Sequence, residues 1–117
     1  MLQGIHHVSI NVRDVDEALR FYRDGLGMTE LARPDLGFAG AWLKSGDQEV
    51  HLLGIEGPAA PKEQHFAFLV PDLAPVLAHL ADLAIDCSEP QAIPGVCRQA
   101  FCRDPSGNLV EFNERIA

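Results

Sequence analysis

The chain repeats one sequence pattern, and this repeat limits its possible folds more than any other feature. "GIHHVSINVRDV", residues 4–15, and "QHFAFLVPDL", residues 64–73, align with an offset of 58 residues, which places His7 on His65. The same offset aligns three further pairs of identical residues: Val12 with Val70, Asp14 with Asp72, and Leu19 with Leu77. Similarity at half the chain length indicates two copies of one supersecondary unit.

Each copy predicts the element order βαβββ. In the first copy, apolar Val8, Ile10 and Val12 alternate with polar residues, which is typical of a strand with one face on a core. Asp14 is a candidate N-cap, and glycines at 25 and 27 end the helix that follows. The predicted strands are 4–12, 28–33, 39–44 and 48–55 in the first copy and 64–70, 85–88, 97–103 and 108–114 in the second, whose helix covers 72–84.

These elements predict an α+β protein with a single domain of 117 residues, made of module 1, about 1–56, and module 2, about 63–117. A net charge of −8 argues against nucleic acid and against anionic membranes as partners. The three cysteines form no CxxC pair, which favours reduced thiols. No leader peptide and no bilayer-spanning apolar run is recognisable, so we expect a cytoplasmic protein.

Four side chains of ligand type are predicted on the sheet faces that the helices leave free. His7, His51 and His65 each alternate with apolar residues that take the helix-covered face, and Glu111 does the same in "NLVEFNE". A lone inward histidine is more often a hydrogen-bonded pocket residue, and a lone strand glutamate can be an edge charge. The repeat-related placement of all four favours a divalent metal ion instead, with Zn²⁺, Ni²⁺, Mn²⁺ and Fe²⁺ suited to imidazole and carboxylate.

Other residues are candidates for the surroundings of this site. Glu49 has the same parity as His51 and is a candidate base, although an exposed charge at the start of a strand is the simpler interpretation. Trp42 and Phe38 are candidates for the wall of a substrate pocket, with a core role as the alternative. Arg98 is a candidate for binding an anionic substrate.

Three segments resemble the vicinal oxygen chelate superfamily, also called the glyoxalase, bleomycin resistance and dioxygenase superfamily. They are "IHHVSINVRDVDEALRFYRDGLGM", "QHFAFLVPDL" and "FCRDPSGNLVEFNE". The resemblance covers nearly the whole chain. It implies paired βαβββ modules that form an open, cup-like barrel around a metal, usually in a homodimer. The metal ligands of the family, carried over, fall on His7, His51, His65 and Glu111.

The resemblance implies an enzyme that binds a small oxygen-bearing substrate on its metal and stabilises an oxyanion, as a lyase, isomerase or resistance transferase. Bacterial glyoxalase I-like lyases have a carboxylate at the position of His51. Fosfomycin-resistance transferases carry a hydroxyl residue at the position of Ser9, which makes it a candidate pocket residue. The alternatives are an Fe(II) extradiol-type dioxygenase and a metal-free protein that sequesters a cationic drug, as bleomycin-resistance proteins do.

Overall fold

The computed structural model describes residues 1–57 and 60–116 and divides the chain into two compact units, Met1–Ala59 and Ala60–Ala117. Each unit contains one four-stranded sheet and a helical segment between its first and second strands. The predicted α+β class and the duplicated βαβββ order are therefore confirmed. The prediction that the two units form one domain is not tested by this division.

Unit 1 begins with the repeated strand. Its strands are β1 His7–Asn11, β2 Thr29–Leu31, β3 Gly40–Ser45 and β4 Gln48–Leu53, and its helix α1 Val15–Leu19 continues as a π-helical segment, Arg20–Gly25. The strands lie in the order β1-β4-β3-β2, with β1 parallel to β4 and the other pairs antiparallel. Strand β4 is therefore an inner strand, flanked by β1 and β3.

Unit 2 repeats this arrangement. Its elements are β5 His65–Leu69, α2 Leu73–Asp82, β6 Gln91–Ile93, β7 Cys97–Arg103 and β8 Leu109–Arg115. The strand order β5-β8-β7-β6 matches that of unit 1, and β5 is parallel to β8. The first and last strands of each unit are thus direct neighbours, which brings the repeated histidine of each unit beside the ligand-type residue of its last strand.

Both helices begin at the predicted aspartates. The carboxylate of Asp14 accepts a hydrogen bond from the backbone N–H of Glu17 at 2.9 Å, and that of Asp72 accepts one from Ala74 at 3.2 Å. Each cap satisfies a backbone donor that has no partner inside the helix. The side chain of Glu17 binds Arg13 through two contacts of 2.9 and 2.6 Å, and this hydrogen bonding lowers the pKa of the Glu17 carboxyl.

The prediction of a strand at residues 85–88 is wrong. That stretch has a single bridge, between Cys87 and Cys102, and the strand that pairs with β7 on that side is β6, at 91–93. The N–H of Ser88 donates to Phe101, and the Ser88 hydroxyl accepts from the N–H of Phe101. Pro90 follows and has no N–H to extend a ladder, so the strand starts only after it.

Burial separates the two faces of each sheet. The exposed and half-buried positions alternate in β1 and in β5, and His7 and His65 both fall in the exposed set. The helix-covered faces carry the fully buried side chains, which include Leu43 and Leu52 in unit 1 and Val110 in unit 2, and Leu80 of α2 is also fully buried. The opposite faces carry the predicted ligands. Within the described residues, no helix has the length and apolarity needed to cross a bilayer.

The three cysteines are free thiols, and Cys102 is expected to react very slowly. Burial raises the pKa of the Cys102 thiol from 9.0 to about 12 and also raises that of Cys87. Because the thiolate is the nucleophile, we expect iodoacetamide to alkylate native Cys102 on the order of 10³-fold more slowly at pH 8 than the unfolded chain. Time-resolved peptide mass spectrometry checks this, and equal rates would contradict it.

The free energy of unfolding should also fall above pH 9, because the Cys102 thiol ionises at lower pH in the unfolded chain than in the folded protein.

Candidate functional site

An aromatic and carboxylate cluster lies on the free face of the sheet in unit 1. The ring of His51 stacks on His7, with centroids 4.0 Å apart and planes 14° apart, and on Trp42, at 4.5 Å and 11°. Because β4 runs between β1 and β3, the imidazole of His51 is held between the two neighbouring rings. It is only 7% exposed and lies between the buried residues Val50 and Leu52 of β4. We call His7, His51, Trp42 and Glu49 the unit 1 cluster.

Glu49 determines the tautomer of His51. Its Oε1 lies 2.9 Å from Nε2 of His51, and this hydrogen bond is the main cause that lowers the pKa of the Glu49 carboxyl. An ionised carboxylate only accepts hydrogen bonds, so Nε2 of His51 carries a hydrogen. When the ring is neutral, Nδ1 of His51 is then the nitrogen with a free lone pair, which is the form that binds metal ions.

The surroundings of His7 lower its pKa. Desolvation is the main cause that lowers its pKa, and repulsion from His51 and His6 adds to it. His6 takes part directly, since its Nδ1 lies 2.8 Å from Nδ1 of His7 and its ring meets His51 edge-on at 6.5 Å. His6 therefore lies beside the other two histidines, although the alternation of the predicted strand 4–12 would place it on the opposite face from His7. His6 precedes β1, so the alternation of a strand does not apply to it.

A second pair of ligand-type side chains lies on the free face of the sheet in unit 2. Nε2 of His65 is 3.1 Å from Oε1 of Glu111, and Nδ1 of His65 is 2.9 Å from the backbone carbonyl oxygen of Glu63. The amide of Asn113 donates to Oε2 of Glu111 at 2.8 Å, and Phe101 meets His65 edge-on. Glu111 is only 6% exposed. We call His65, Glu111 and Asn113 the unit 2 cluster.

The two ring nitrogens of His65 both face hydrogen-bond acceptors. A neutral imidazole has one hydrogen, and the carbonyl of Glu63 can only accept, so donation to it leaves the lone pair of Nε2 directed at an oxygen of Glu111. Such a contact needs a cation between the nitrogen and the oxygen, either a proton or a metal ion. A histidine whose Nδ1–H is bound to a backbone carbonyl and whose Nε2 meets a carboxylate has the outer hydrogen bond that orients metal-binding imidazoles.

The predicted metal ligands are thus brought together in pairs. His7 and His51 meet in unit 1, and His65 and Glu111 meet in unit 2. Across residues 1–57 and 60–116, no group of three or more His, Cys, Asp or Glu side chains is arranged to hold a metal ion. The donor chemistry fits a transition metal, because each cluster offers imidazole nitrogen or carboxylate oxygen on a sheet face that is partly buried.

The remaining predicted residues fall into two groups. Ser9 is exposed and pairs with His51 in the parallel register of β1 and β4, which places it on the same face as the unit 1 cluster. Trp42 pairs with His51 from the other side, in the antiparallel register of β3 and β4. Phe38 is 39% exposed and lies outside the strands, beside the guanidinium of Arg33. Arg98 lies on the opposite face of its sheet from Glu111.

The register of β7 and β8 explains the position of Arg98. It pairs with Glu114, which shares its face with Val110 and Phe112, and its Nη1 lies 4.0 Å from a carboxylate oxygen of Glu114. Glu114 in turn accepts a hydrogen bond from the N–H of Leu73, the first residue of α2. Asn113 was missed by the sequence analysis, although it lies two residues after Glu111 on the same strand face, so alternation alone would have found it.

Comparisons with known proteins agree with this architecture. The family model of the Glyoxalase/Bleomycin resistance protein/Dioxygenase superfamily matches residues 4–112. The protein Glyoxylase I 4 of Arabidopsis thaliana is 32% identical over 122 residues, which cover 95% of this chain and 70% of the relative. A solved Bacillus anthracis structure, described as a glyoxalase family protein, is 28% identical and superposes with a TM-score of 0.89 over 99% of this chain and 98% of that one.

A more distant structure shares the fold alone. The fosfomycin resistance protein FosX from Listeria monocytogenes, solved as a mutant with Mn(II) and 1S,2S-dihydroxypropylphosphonic acid, has a TM-score of 0.86 at 13% identity, over 99% of this chain and 95% of its own. The family match extends over most of the chain and includes both repeated strands. The chain therefore belongs to the Glyoxalase/Bleomycin resistance protein/Dioxygenase superfamily.

Proposed function

We propose that the protein is a divalent-metal-dependent enzyme that acts on a small oxygen-bearing substrate. The proposed metal ligands are His7 and His51 within unit 1 and His65 and Glu111 within unit 2. One observation carries the proposal: Nε2 of His65 lies 3.1 Å from Oε1 of the buried Glu111, a pairing of imidazole and carboxylate that either a proton or a metal ion can hold together. The burial of Glu111 adds to this, because a buried carboxylate requires a compensating charge.

The reaction class is that of a lyase, an isomerase or a group transferase. The metal ion, when bound, would polarise a substrate oxygen and stabilise the developing negative charge. The name of the Arabidopsis relative, Glyoxylase I 4, supports this class. Zn²⁺, Ni²⁺, Mn²⁺ and Fe²⁺ all suit the donor set, and Fe²⁺ would favour the alternative of a ring-cleaving dioxygenase.

The protein side chains hold and move protons around this site. Glu49 is ionised and bound to Nε2 of His51, so it orients that imidazole and is the available base on the face of unit 1. Asn113 donates to Oε2 of Glu111 and thereby fixes the carboxylate with its other oxygen towards His65. Ser9 and Trp42 flank His51 in the register and would contact the substrate.

A metal-free binding protein is the second candidate. The stack of Trp42, His51 and His7 is an aromatic surface that could hold a planar or cationic drug, and the net charge of −8 would attract a cation. Within the described parts of the chain, the lack of a three-ligand group also fits this alternative. The two candidates differ in whether the purified protein contains a metal.

We also propose a cytoplasmic homodimer, since small proteins of this family usually pair. Sedimentation equilibrium of the purified protein checks this proposal. A mass equal to one chain of 12.8 kDa at micromolar concentration would contradict it.

Metal content tests the enzyme proposal directly. We expect plasma mass spectrometry to find close to one divalent metal ion per site in the wild-type protein, and most of it to be lost in His7→Ala. His79→Ala is the matched control, because His79 is an exposed histidine on α2, outside both clusters, and its replacement should leave the metal content unchanged. A wild-type protein that takes up none of Zn²⁺, Ni²⁺, Mn²⁺ or Fe²⁺ would contradict the proposal and favour the binding protein.

A further inference from the structure

Arg33 lies at the end of the face that carries the unit 1 cluster. The antiparallel register pairs Leu31 of β2 with Trp42 of β3. Continued by two residues on each strand, this register places Arg33 opposite Gly40. Arg33 lies beyond the end of β2, so its face is shown by a contact: its guanidinium lies at Gly40, which is two residues from Trp42 on β3 and shares its face.

Gly40 confirms where the guanidinium of Arg33 lies. A Cβ atom built on Gly40 would lie 2.8 Å from Nη2 and 2.9 Å from Cζ of Arg33. The backbone of Gly40 does not have a positive φ, so glycine is not required there by conformation. A Cβ atom there would also lie 2.6 Å from the backbone oxygen of Leu52, so the missing side chain leaves room both for the close approach of β4 and for the guanidinium of Arg33.

The guanidinium of Arg33 is anchored but not neutralised. Nη2 donates to the carbonyl oxygen of Phe38 at 3.1 Å, and Cζ lies 5.0 Å from the centroid of the Phe38 ring. Among the described residues, no carboxylate forms an ion pair with Arg33, whereas Arg13, Arg23 and Arg98 each contact one. The charge of Arg33 is therefore not balanced by a carboxylate of the described residues.

One donor of this guanidinium has no acceptor. Nε of Arg33 is buried and is the one buried side-chain nitrogen or oxygen of the described residues without a hydrogen-bond partner. A buried donor without a partner costs about 1–3 kcal/mol, and native proteins contain few of them. A purely structural role in holding the loop 33–40 would be met by Nη2 and the Phe38 ring and gives no reason for the unpaired Nε.

We propose that Arg33 binds an oxyanion of the substrate, a carboxylate or a phosphoryl group, on the face of unit 1. A guanidinium presents its N–H groups in a planar fork that matches two oxygens of such a group. This inference rests on the proposed function only in taking the His51 face as the one that meets the substrate. It adds the substrate class: a small molecule with an anionic group at one end.

The experiment follows the Nε–H resonance of Arg33 by ¹⁵N NMR in protein treated with a chelator. The peak is assigned by its loss in Arg33→Lys. Inorganic phosphate and acetate are titrated separately at constant ionic strength, with chloride as the replaced ion. We expect a saturable shift of the Arg33 peak with phosphate if the group is phosphoryl, or with acetate if it is a carboxylate. No saturable shift with either probe would overturn the proposal.

Three variants distinguish the binding of an oxyanion by Arg33 from a role of Arg33 in supporting the loop between β2 and β3. Arg33→Lys keeps the charge but not the fork, so we expect the most responsive backbone amide near Trp42 to report about tenfold weaker binding of the same probe. Gly40→Ala should also weaken binding, but its methyl group would meet the backbone oxygen of Leu52 as well as the guanidinium, so Arg33→Lys decides the proposal. Arg98→Lys is the matched control and should leave binding unchanged, because Arg98 lies in unit 2 beside Glu114. Equal binding by wild type and Arg33→Lys would overturn the proposal even if Gly40→Ala does not fold.

Oxyanion binding at Arg33 and metal uptake are measured separately, so either can fail without the other. Oxyanion binding without any metal uptake would sustain the Arg33 site and contradict the proposed enzyme. Metal uptake without oxyanion binding would sustain the proposed enzyme and contradict the Arg33 site.

Discussion

Glu111→Gln should lower the affinity for divalent metal by at least about 100-fold, since loss of a charged ligand exceeds the 10- to 100-fold cost of losing an outer hydrogen-bond partner. The amide keeps the shape of the side chain and can still accept from Asn113, but it removes the negative charge opposite Nε2 of His65. Because the buried charge is removed and not inserted, we expect the metal-free variant to fold with stability within about 1 kcal/mol of the wild type.

Isothermal titration calorimetry with the metal found in the wild-type protein measures this affinity, and thermal unfolding of the metal-free proteins measures the fold. Glu114→Gln is the matched control, because Glu114 lies on the same strand but on the opposite face, where it contacts Leu73 and Arg98. Its replacement should weaken the start of α2 and leave the metal affinity unchanged. An unchanged metal affinity in Glu111→Gln would remove Glu111 from the ligand set.

Leu80→Ala should lower the free energy of unfolding by about 2–5 kcal/mol, because it opens a cavity in the core of unit 2. Leu80 is 0% exposed, whereas Leu83, at the end of the same helix, is 45% exposed. Leu83→Ala is therefore the matched control and should change the stability by no more than about 0.5 kcal/mol. Urea unfolding followed by circular dichroism gives both values, and equal effects of the two substitutions would contradict the packing of α2 on the sheet.

The same variant tests whether the two units unfold together. The chain has one tryptophan, Trp42, which lies in unit 1 and stacks on His51, so its fluorescence reports on that unit. If the predicted single domain is right, Leu80→Ala should shift the fluorescence transition of Trp42 to lower urea by as much as the circular dichroism transition. A fluorescence midpoint that stays at the wild-type value would show two domains that unfold independently.

Much of the fold could be predicted because each element depends on local sequence. The strands β1 and β5 were found from alternation, and both helices from the aspartates that accept backbone hydrogen bonds. The strand predicted at 85–88 failed because pairing with β7 also depends on the partner strand and on Pro90, and neither is visible in a short window of sequence.

The sequence by itself determined the duplication, the free face of each sheet and the four ligand-type residues on those faces, because period-2 alternation follows from strand geometry alone. Only the tertiary structure decided which side chains meet. The stack of His7, His51 and Trp42, the contact of Glu49 with His51 and the position of Arg33 over Gly40 all depend on strand order and register. These are set by hydrogen bonds between residues far apart in sequence. For the same reason, Arg98 was a candidate for anion binding although it lies on the other face of its sheet from Glu111, and Arg33 was not predicted at all.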